Sequence, residues 1–296
     1  MTSRLRPANF SLILTEAFPS FSPVSWPSGT RIALCVSYYG GDFCGWQAQP
    51  HLPVATVQKT LEQALSKVAA TPVSTHCAGR TDTGVHALGQ VVHFDADVER
   101  DEWSWVRGIN TFLPNDVVVN WTKVVPPDFD ARFSAHERTY IYAIVAGPTR
   151  SPTLAKRVGY HMMPSGQWFD ASAMQIAADY LIGEQDFSSF RASECQSKTP
   201  MKHLYECSIT SDQPFLYFKI RANAFLHHMV RNIVGSLLVV GQGKQKPEWI
   251  KTVLQAKNRE LAAPTFAPDG LYLVQVGYPQ HLAIPAPHWQ NAWLPK

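Results

Sequence analysis

The first part of the chain alternates between patterns typical of strands and of helices. Apolar side chains at every second position predict a strand over residues 32–38, because alternate side chains of a strand point to the same face. A helical repeat of apolar residues follows Thr56, whose hydroxyl suits a helix cap, and ends before Pro72. The remaining patterns predict strands over 73–78, 89–95 and 117–125 and a Trp-rich helix over 101–112. The predicted order is β-α-β-β-α-β.

The same order is predicted again after Pro126 and Pro127. A strand is expected over residues 138–146, followed by a helix from Asp170 to near Gly183. The later patterns predict strands over 204–210 and 215–221, a helix over 224–240, a helix that begins at Pro247 and a final strand over 271–276. Two such units predict an α+β fold, in which each split βαβ unit forms an antiparallel sheet with helices on one face.

We expect the two sheets to meet at a central cleft, with the boundary between the halves near residues 126–138. The predicted division is an N-terminal extension (1–28), a first half (29–135), a second half (136–280) and a C-terminal tail (281–296). The apolar run at 10–14 suggests a signal peptide, but it is short and lacks a clear small-residue cleavage site. The pattern does not indicate a role for the extension.

Composition and charge exclude several classes of protein. The chain has 296 residues, 45% of them hydrophobic and 17% charged, which is typical of a folded protein rather than a disordered one. A net charge of +3 permits binding to a polyanion only through a local basic patch. The five cysteines lack the spacing of a zinc site or a disulfide framework, so a reducing cytoplasm is the simplest setting. No stretch of the second half reaches the ~20 apolar residues of a membrane span.

A carboxylate lies between two glycines in the loop over residues 78–86, which reads AGRTDTGVH. Glycines permit a tight turn and close approach of a substrate, and we expect the guanidinium of Arg80 to keep Asp82 ionised and to grip a phosphate. Predicted strands on both sides would hold the loop on a rigid scaffold, as is common for functional residues. The alternative is a surface turn in which Asp82 and Arg80 form a structural ion pair.

The same loop resembles the signature of a known family. Residues 77–82, 84–86 and 89–94 resemble the signature of the TruA family of tRNA pseudouridine synthases. Further segments resemble motifs of that family in the same order: 39–47, 113–116, 129–134, 138–142, 187–191, 222–232 and 270–273. The resemblance spans roughly residues 31–278. It implies two ferredoxin-like or RRM-like halves around a central catalytic cleft, in agreement with the order of elements above.

The resemblance implies roles for five residues. Asp82 would be the catalytic carboxylate, which attacks the uracil ring, attacks C1′ or abstracts a ribose proton; the sequence leaves these three routes open. Arg80 would contact a phosphate and support the vacated base stack, and Arg231 would pair with Asp82 across the cleft. Tyr140 would stack on a flipped-out uracil, and Leu271 would pack on it. Without the resemblance, Tyr140 and Leu271 would be ordinary residues of a sheet face, and Arg231 a solvated charge.

By the same resemblance, the chain is expected to be an isomerase that converts uridine to pseudouridine at positions 38, 39 and 40 of the tRNA anticodon stem-loop. A homodimer that binds tRNA, without a metal or an organic cofactor, is implied. Two positions depart from the family pattern: Thr83 stands where alanine is usual, and Gly40 where an acidic residue is common. The hydroxyl of Thr83 could hydrogen-bond Asp82. We expect these changes to alter rate or substrate preference at most.

Other polar residues of the second half are weaker candidates. His227 and His228 suggest a metal site, but adjacent residues diverge by about 100° on a helix, so RNA contact or packing is expected instead. A basic patch for phosphates could draw on six residues, each of which alone reads as a solvated charge: Arg191, Lys198, Lys202, Arg221, Lys244 and Lys246.

Two other functions remain open. A non-catalytic RNA-binding protein could use the same two halves, although Asp82, Tyr140 and Arg231 are intact and no paired aromatic RRM motif is present. A hydrolase or phosphatase with an aspartate nucleophile would be favoured by a D-x-D motif or a P-loop. The D-x-D at Asp95 and Asp97 lacks the expected context, and no P-loop motif occurs.

Overall fold

The computed structural model describes residues 22–49, 51, 53–287 and 294. The apolar run at 10–14 and most of the N-terminal extension lie outside the described residues. Within them, no helix has both the length and the apolar character that a membrane span requires.

The first half contains the predicted four strands and two helices. Thr56 caps the first helix, since its hydroxyl accepts a hydrogen bond from the Lys59 N–H. The elements are β1 (Ser25–Trp26), β2 (Thr30–Tyr38), α1 (Val57–Ala69), β3 (His76–Cys77), β4 (His86–Ala96), β5 (Arg100–Asp101), α2 (Glu102–Phe112) and β6 (Val117–Val124). The short β1–β5 pair was not predicted.

The strand predicted over residues 73–78 is shorter than expected. Only β3 pairs with β4, because the preceding backbone groups bond to side chains of α1 instead. The Val73 N–H donates to the Ser66 hydroxyl at 2.9 Å, and the Thr75 N–H donates to the Glu62 carboxylate at 2.8 Å. These backbone groups are therefore satisfied without a sheet partner.

The second half follows the predicted order with additions. The helix predicted from Asp170 is present, and the Asp170 carboxylate caps it by accepting a hydrogen bond from the Ala173 N–H at 2.8 Å. The elements are β7 (Glu137–Gly147), β8 (Gly159–Met162), α3 (Ala171–Asp179), β9 (Gly183–Asp186), β10 (Met201–Asp212), β11 (Phe215–Ala222), α4 (Met229–Gly241), α5 (Glu248–Ala256) and β12 (Leu271–Gly277). Strands β8 and β9 were not predicted. Short 3₁₀ turns lie at Gly40–Asp42, Pro152–Leu154, Ser188–Phe190, Arg259–Leu261 and Gln280–Leu282.

The two sets of strands join into one sheet, in the order β6-β2-β4-β12-β7-β11-β10-β9, with β3 also on β4 and β8 on β7. Most pairs are antiparallel. The junction is parallel: Tyr272 and Leu273 of β12 lie opposite His86 and Ala87 of β4. The α+β class is confirmed, and the pattern did not predict that the two sheets meet edge to edge. Since β4 begins at His86, the junction lies directly after the Asp82 loop.

The sheet buries apolar residues on both faces. On β7, Tyr140 and Tyr142 belong to the main core with the helices, whereas Ile141 and Ala143 belong to a smaller cluster on the opposite face. This alternation is the one expected of a strand. Leu271 of β12 shares the main core with Tyr140.

His86 connects the two halves at the junction. Its Nδ1 accepts a hydrogen bond from the Gly40 N–H at 2.9 Å, so its Nε2–H donates to the Lys156 carbonyl at 2.8 Å. The ring lies between those of Tyr39 and Tyr272, with centroid distances of 5.1 and 4.5 Å. Burial lowers the pKa of His86 to about 4, so the ring is neutral in the folded protein near pH 7.

The close approach at this junction also explains Gly40. A Cβ at that position would lie 1.9 Å from the carbonyl oxygen of Val85, at the end of the Asp82 loop. A side chain would require the backbone to move. Glycine at this departure from the family pattern therefore lets the 3₁₀ turn pack against the loop.

The buried neutral His86 predicts a specific loss of stability in acid. The unfolded side chain has a pKa near 6.5 and the folded one about 4. Stability due to this group is therefore present above pH 6.5 and is lost as pH falls toward 4, because only the unfolded state takes up the proton. From pH 7 to 5 the native chain should lose about 2 kcal/mol more than His86→Gln, measured by urea unfolding. The matched substitution His281→Gln, at an exposed histidine, should leave the native pH dependence intact; an equal pH dependence in native chain and His86→Gln would contradict the assignment.

Candidate active site

The Asp82 loop connects β3 and β4, which are paired strands as the sequence predicted. Its backbone is held by the neighbouring segment: the Trp46 N–H donates to the Thr81 carbonyl at 3.0 Å, and the hydroxyls of Tyr38 and Thr81 are 2.8 Å apart. Gly45 has a φ of +78°, and a Cβ there would lie 2.8 Å from the Thr81 oxygen. This close approach requires glycine and fixes the backbone beside Asp82.

The structure brings Arg231 to Asp82 although 149 positions separate them in the chain. Arg231 Nη1 donates to Asp82 Oδ2 at 3.0 Å, and Arg231 Nε donates to the Phe266 carbonyl at 2.9 Å. Only 13% of the Arg231 side chain is exposed, against 26% for Asp82. The second hydrogen bond holds the guanidinium in place, so the carboxylate is oriented by a group that is itself fixed.

His227 and His228 also contact the carboxylate, which the sequence did not lead us to expect. His227 Nε2 lies 3.2 Å from Oδ1 of Asp82, and His228 Nε2 lies 3.2 Å from Oδ2. The helix predicted from residue 224 begins only at Met229, and His228 has a left-handed φ of 62°. The two rings are therefore not spread by helical geometry, and their centroids are 4.0 Å apart.

The cause of the late helix start lies in the backbone before it. The His227 carbonyl accepts a hydrogen bond from the Ala192 N–H at 3.0 Å, and the His227 N–H points to the sulfur of Cys195 at 3.3 Å. These bonds to a neighbouring segment replace helical ones. The signal that could have revealed the pair was the position of both histidines immediately before the segment that carries Arg231.

The electrostatic surroundings of His228 keep it neutral near pH 7. Burial lowers its pKa, and the charge of Arg231 and the neighbouring His227 add to this effect, while the negative charge of Asp82 opposes it. Among the described residues, the Asp82 carboxylate thus accepts one hydrogen bond, from Arg231, and has two imidazole nitrogens within 3.2 Å, with Oδ1 facing His227 and Oδ2 facing His228 and Arg231.

Asp82, His227 and His228 form a donor set of the kind that binds zinc. Their ligand atoms lie within 4.8 Å of one another. Arg231, however, places a permanent positive charge 3.0 Å from one of the carboxylate oxygens. A divalent cation in this position would be opposed by that charge unless the guanidinium moved away.

Tyr140 and Leu271 lie in the core rather than on an open surface. Tyr140 is 9% exposed and Leu271 4%. The rings of Tyr140 and Phe225 form a T-shaped pair with a centroid distance of 5.1 Å. Burial raises the pKa of Tyr140, and the negative charge of Asp82 raises it further. The structure therefore places the tyrosine within electrostatic reach of the carboxylate, with Phe225 against it.

Arg80 does not pair with Asp82. Its side chain is exposed, and no ion pair to it occurs among the described residues. Its positive charge instead lowers the pKa of the Cys77 thiol, against a larger effect of burial that raises that pKa to about 12; Arg132 acts on the thiol in the same direction. The expected partner role of Arg80 is taken by Arg231, and the guanidinium of Arg80 stays available on the surface.

Thr83 is exposed, and its hydroxyl makes no hydrogen bond to Asp82 in the described part of the chain. The expected tuning contact is therefore absent. This departure from the family pattern leaves the carboxylate to Arg231 and the two histidines.

Three of the six residues considered for a basic patch are engaged in the fold. Lys202 is 6% exposed, and its ammonium group donates to the carbonyls of Thr199 and Met201. Arg191 also donates to backbone carbonyls. Arg221 pairs with Glu137 at 2.8 Å. The exposed members are Lys198, Lys244 and Lys246.

Arg138 was missed as a residue that supports the site. Its guanidinium donates to the carbonyls of Ala78 at 3.0 Å, Arg132 at 2.7 Å and Asn223 at 3.1 Å. Burial lowers its pKa, yet the side chain stays charged because an arginine begins far above neutral pH. One cation thereby joins the start of the Asp82 loop to the strand end that leads to His227.

Comparison with known proteins gives consistent matches over most of the chain. The sequence model of the family described as tRNA pseudouridine synthase matches residues 34–134 and 177–279. A tRNA pseudouridine synthase A of Polynucleobacter asymbioticus is 59% identical over 270 residues, which cover 90% of this chain and 98% of that protein. A protein of the same name from Paraburkholderia phymatum is 56% identical over 269 residues, which cover 89% and 98%. A chain of a Cbf5-Nop10-Gar1 complex aligns with a TM-score of 0.30 and 9% identity over 70% of this chain and 54% of that chain, a similarity too low to bear on the fold.

The contact between Asp82 and His228 can be tested by NMR titration. Replacing Asp82 by Asn should lower the pKa of His228 further, because the negative charge that now raises it is removed. The imidazole Cε1–H shift of each histidine would be followed against pH in both proteins. His161, whose pKa is lowered by burial and by Lys244, should not respond. An unchanged or raised pKa for His228 would contradict the geometry.

Proposed function

This chain belongs to the tRNA pseudouridine synthase family, whose members are isomerases that convert uridine to pseudouridine, and we propose that it acts on positions 38, 39 and 40 of the anticodon stem-loop. The observation that carries the proposal is the Asp82 carboxylate held by Arg231, His227 and His228 in a loop of the two-half fold. The motifs of that loop resemble the catalytic signature of the family.

The reaction rearranges bonds within one nucleotide. The bond from ribose C1′ to uracil N1 breaks, the base turns, and a new bond joins C1′ to C5. The hydrogen on C5 leaves as a proton and N1 gains one, so the reaction is balanced without an oxidant or a reductant. The protein has to supply a nucleophile or base and a surface that holds the detached uracil.

Asp82 fits the first requirement. Arg231 donates a hydrogen bond to its carboxylate, and the guanidinium is itself fixed by a hydrogen bond to the Phe266 carbonyl. Among the described residues, Oδ2 lies next to His228 and Arg231, whereas Oδ1 lies next to His227 alone, whose side chain is 35% exposed. We assign the reacting atom to Oδ1, because one partly exposed ring has to turn away to free it. Asp82 acts as nucleophile or as base in this scheme.

Tyr140 provides the surface that holds the detached uracil, once the Phe225 side chain has moved away from it. A target uridine in a stem-loop is stacked, and flipping it out costs a few kcal/mol. Stacking on an aromatic ring returns roughly 1 to 3 kcal/mol. Because Phe225 now packs against Tyr140, the flipped base takes the place of an existing aromatic contact rather than entering an open cavity. Leu271 then packs on the base from the adjacent strand.

The wider proposal concerns assembly and setting. We propose a homodimer in which one tRNA contacts both subunits, with Arg80 on a phosphate and as a support for the vacated stack. All five cysteines are free thiols, which accords with the proposed cytoplasmic location. The proposed division into halves near residues 126–138 places Asp82 on one half and Arg231 on the other.

Site specificity can be tested by tritium release from tRNA transcripts labelled at uracil C5. A transcript with uridine at positions 38, 39 and 40 should release tritium, and the same transcript with cytidine at those positions should release none. Release that is independent of these positions would contradict the proposed target. Binding of both transcripts without release from either would favour the non-catalytic RNA-binding function.

Tyr140→Phe separates the ring from its hydroxyl. We propose that the hydroxyl moves a proton in the reaction, so this variant should lose about 10²- to 10⁴-fold in kcat with KM nearly unchanged. Tyr140→Ala should in addition raise KM, since the stack is lost. Steady-state tritium release gives both constants. If Tyr140→Phe has the native kcat, the hydroxyl takes no part in the chemistry and Tyr140 acts only by stacking.

A further inference from the structure

We propose that Phe133 and Arg132 form a binding site for one unpaired nucleotide of the RNA substrate, next to the Asp82 loop. Phe133 would stack on the base, and Arg132 would face the adjoining phosphate. This inference rests on the proposed function in taking RNA as the substrate. It concerns a surface that is separate from the carboxylate cluster.

The first observation is exposure. Phe133 is 80% exposed, the largest fraction among the exposed large apolar side chains of the described residues. Burying a phenylalanine typically contributes about 1.5 to 3 kcal/mol, so this ring forgoes most of that stabilisation in the free protein. An aromatic ring in this position is available to a partner that covers it.

The second observation is that the ring is held on a fixed turn. The Asp130 carboxylate accepts hydrogen bonds from the backbone N–H groups of Arg132 at 2.8 Å and Phe133 at 2.9 Å. The Ser134 N–H donates to the Asp130 carbonyl at 2.9 Å, and the Ser134 hydroxyl accepts from the Asp130 N–H at 3.0 Å. The backbone under Phe133 is therefore ordered before any partner binds, which reduces the entropy lost on binding.

The turn is also fixed to the rest of the fold on its N-terminal side. The Ala131 carbonyl accepts a hydrogen bond from the Tyr278 hydroxyl at 2.6 Å, and the Ala131 N–H donates to His93 Nδ1 at 3.0 Å. Phe129 is buried at 1% exposure. Buried residues at 129 and 131 thus anchor the chain directly before the exposed Phe133, which argues against a frayed loop.

The third observation places this turn beside the catalytic loop. Arg138 Nη2 donates to the carbonyls of both Arg132 and Ala78. Ala78 lies four residues before Asp82, and Asn223, bonded to Nη1 of the same guanidinium, lies four residues before His227. The exposed ring is therefore fixed relative to both sides of the carboxylate cluster, as a contact to a nucleotide near the target would require.

Charge identifies the class of partner. The guanidinium of Arg132 lies 5.4 Å from the centroid of the Phe133 ring. Arg132 and the exposed Arg80 both act on the Cys77 thiol, so the two positive charges lie in the same region. An aromatic face next to two cations matches a base with its phosphate, because bases stack on aromatic rings and phosphates attract arginine. An apolar peptide segment would leave these charges without a partner.

The test uses Phe133→Ala and Phe133→Trp, with Phe112→Ala as the matched control. Phe112 is also exposed, at 47%, and also has a cation over its ring, Lys67 at 5.0 Å, but it lies on α2. Phe133→Ala should raise KM for tRNA about 5- to 150-fold, which corresponds to the loss of one stacked base, with kcat within twofold of native. Phe133→Trp should bind like the native chain, and Phe112→Ala should be unchanged.

Binding is measured separately, so that failure of the proposed function remains distinguishable. In an Asp82→Asn background, Kd for tRNA should rise by the same factor when Phe133→Ala is added. RNA that carries 2-aminopurine at unpaired loop positions should show fluorescence quenching at one of these positions when Phe133 is present in the bound protein. The quenching should be absent with Phe133→Ala. Native Kd and native quenching in Phe133→Ala would overturn the proposal even if tritium release is observed. If Phe133→Ala loses both tRNA affinity and quenching, but the native chain releases no tritium, the nucleotide site would be supported and the proposed enzymatic function contradicted.

Discussion

The ion pair between Asp82 and Arg231 fixes the orientation of a carboxylate that is still partly exposed, at 26% of its side chain. Two histidines approach the same carboxylate from the second half of the chain. The ion pair joins residues 149 positions apart, so it exists only when both halves are folded and correctly placed. The site is thus a product of the tertiary structure rather than of the loop alone.

The other features of the fold near this site maintain that placement. The parallel contact between β4 and β12 begins at His86, directly after the loop, and His86 itself bonds to backbone groups on both sides of the junction. Arg138 joins the start of the loop to the Phe133 turn and to the strand end before His227. Each connection satisfies backbone polar groups and fixes a segment near the carboxylate. Stability and preorganisation therefore depend on the same bonds.

The hydrophobic pattern predicted the order of elements well, because burial of one face is what the periodicity reports. Thr56 and Asp170 were also correctly placed as helix caps, since the capping chemistry is local. The pattern did not predict that the two sheets join, because strand pairing at an edge involves backbone groups that carry no residue signature. It also failed where long-range hydrogen bonds replace local ones, as in the short β3 and the late start of α4.

In the candidate site, too, local features could be predicted and long-range contacts could not. The loop around Asp82 was predicted from its residues, and the resemblance led to Arg231, but the two histidines were set aside because they were expected on a helix. Arg80 was expected at the carboxylate because it is near in sequence, whereas in space Arg231 takes that position. Adjacency along the chain was therefore a poor guide to the groups that contact Asp82.

The most direct test of the central claim is single-turnover tritium release by the native chain and by Asp82→Asn, which keeps the shape of the side chain and removes its charge. The account predicts rapid release by the native chain and no measurable release by the variant, with tRNA still bound. Release by Asp82→Asn at a rate near native would show that the carboxylate does not carry the chemistry, and the account would be wrong.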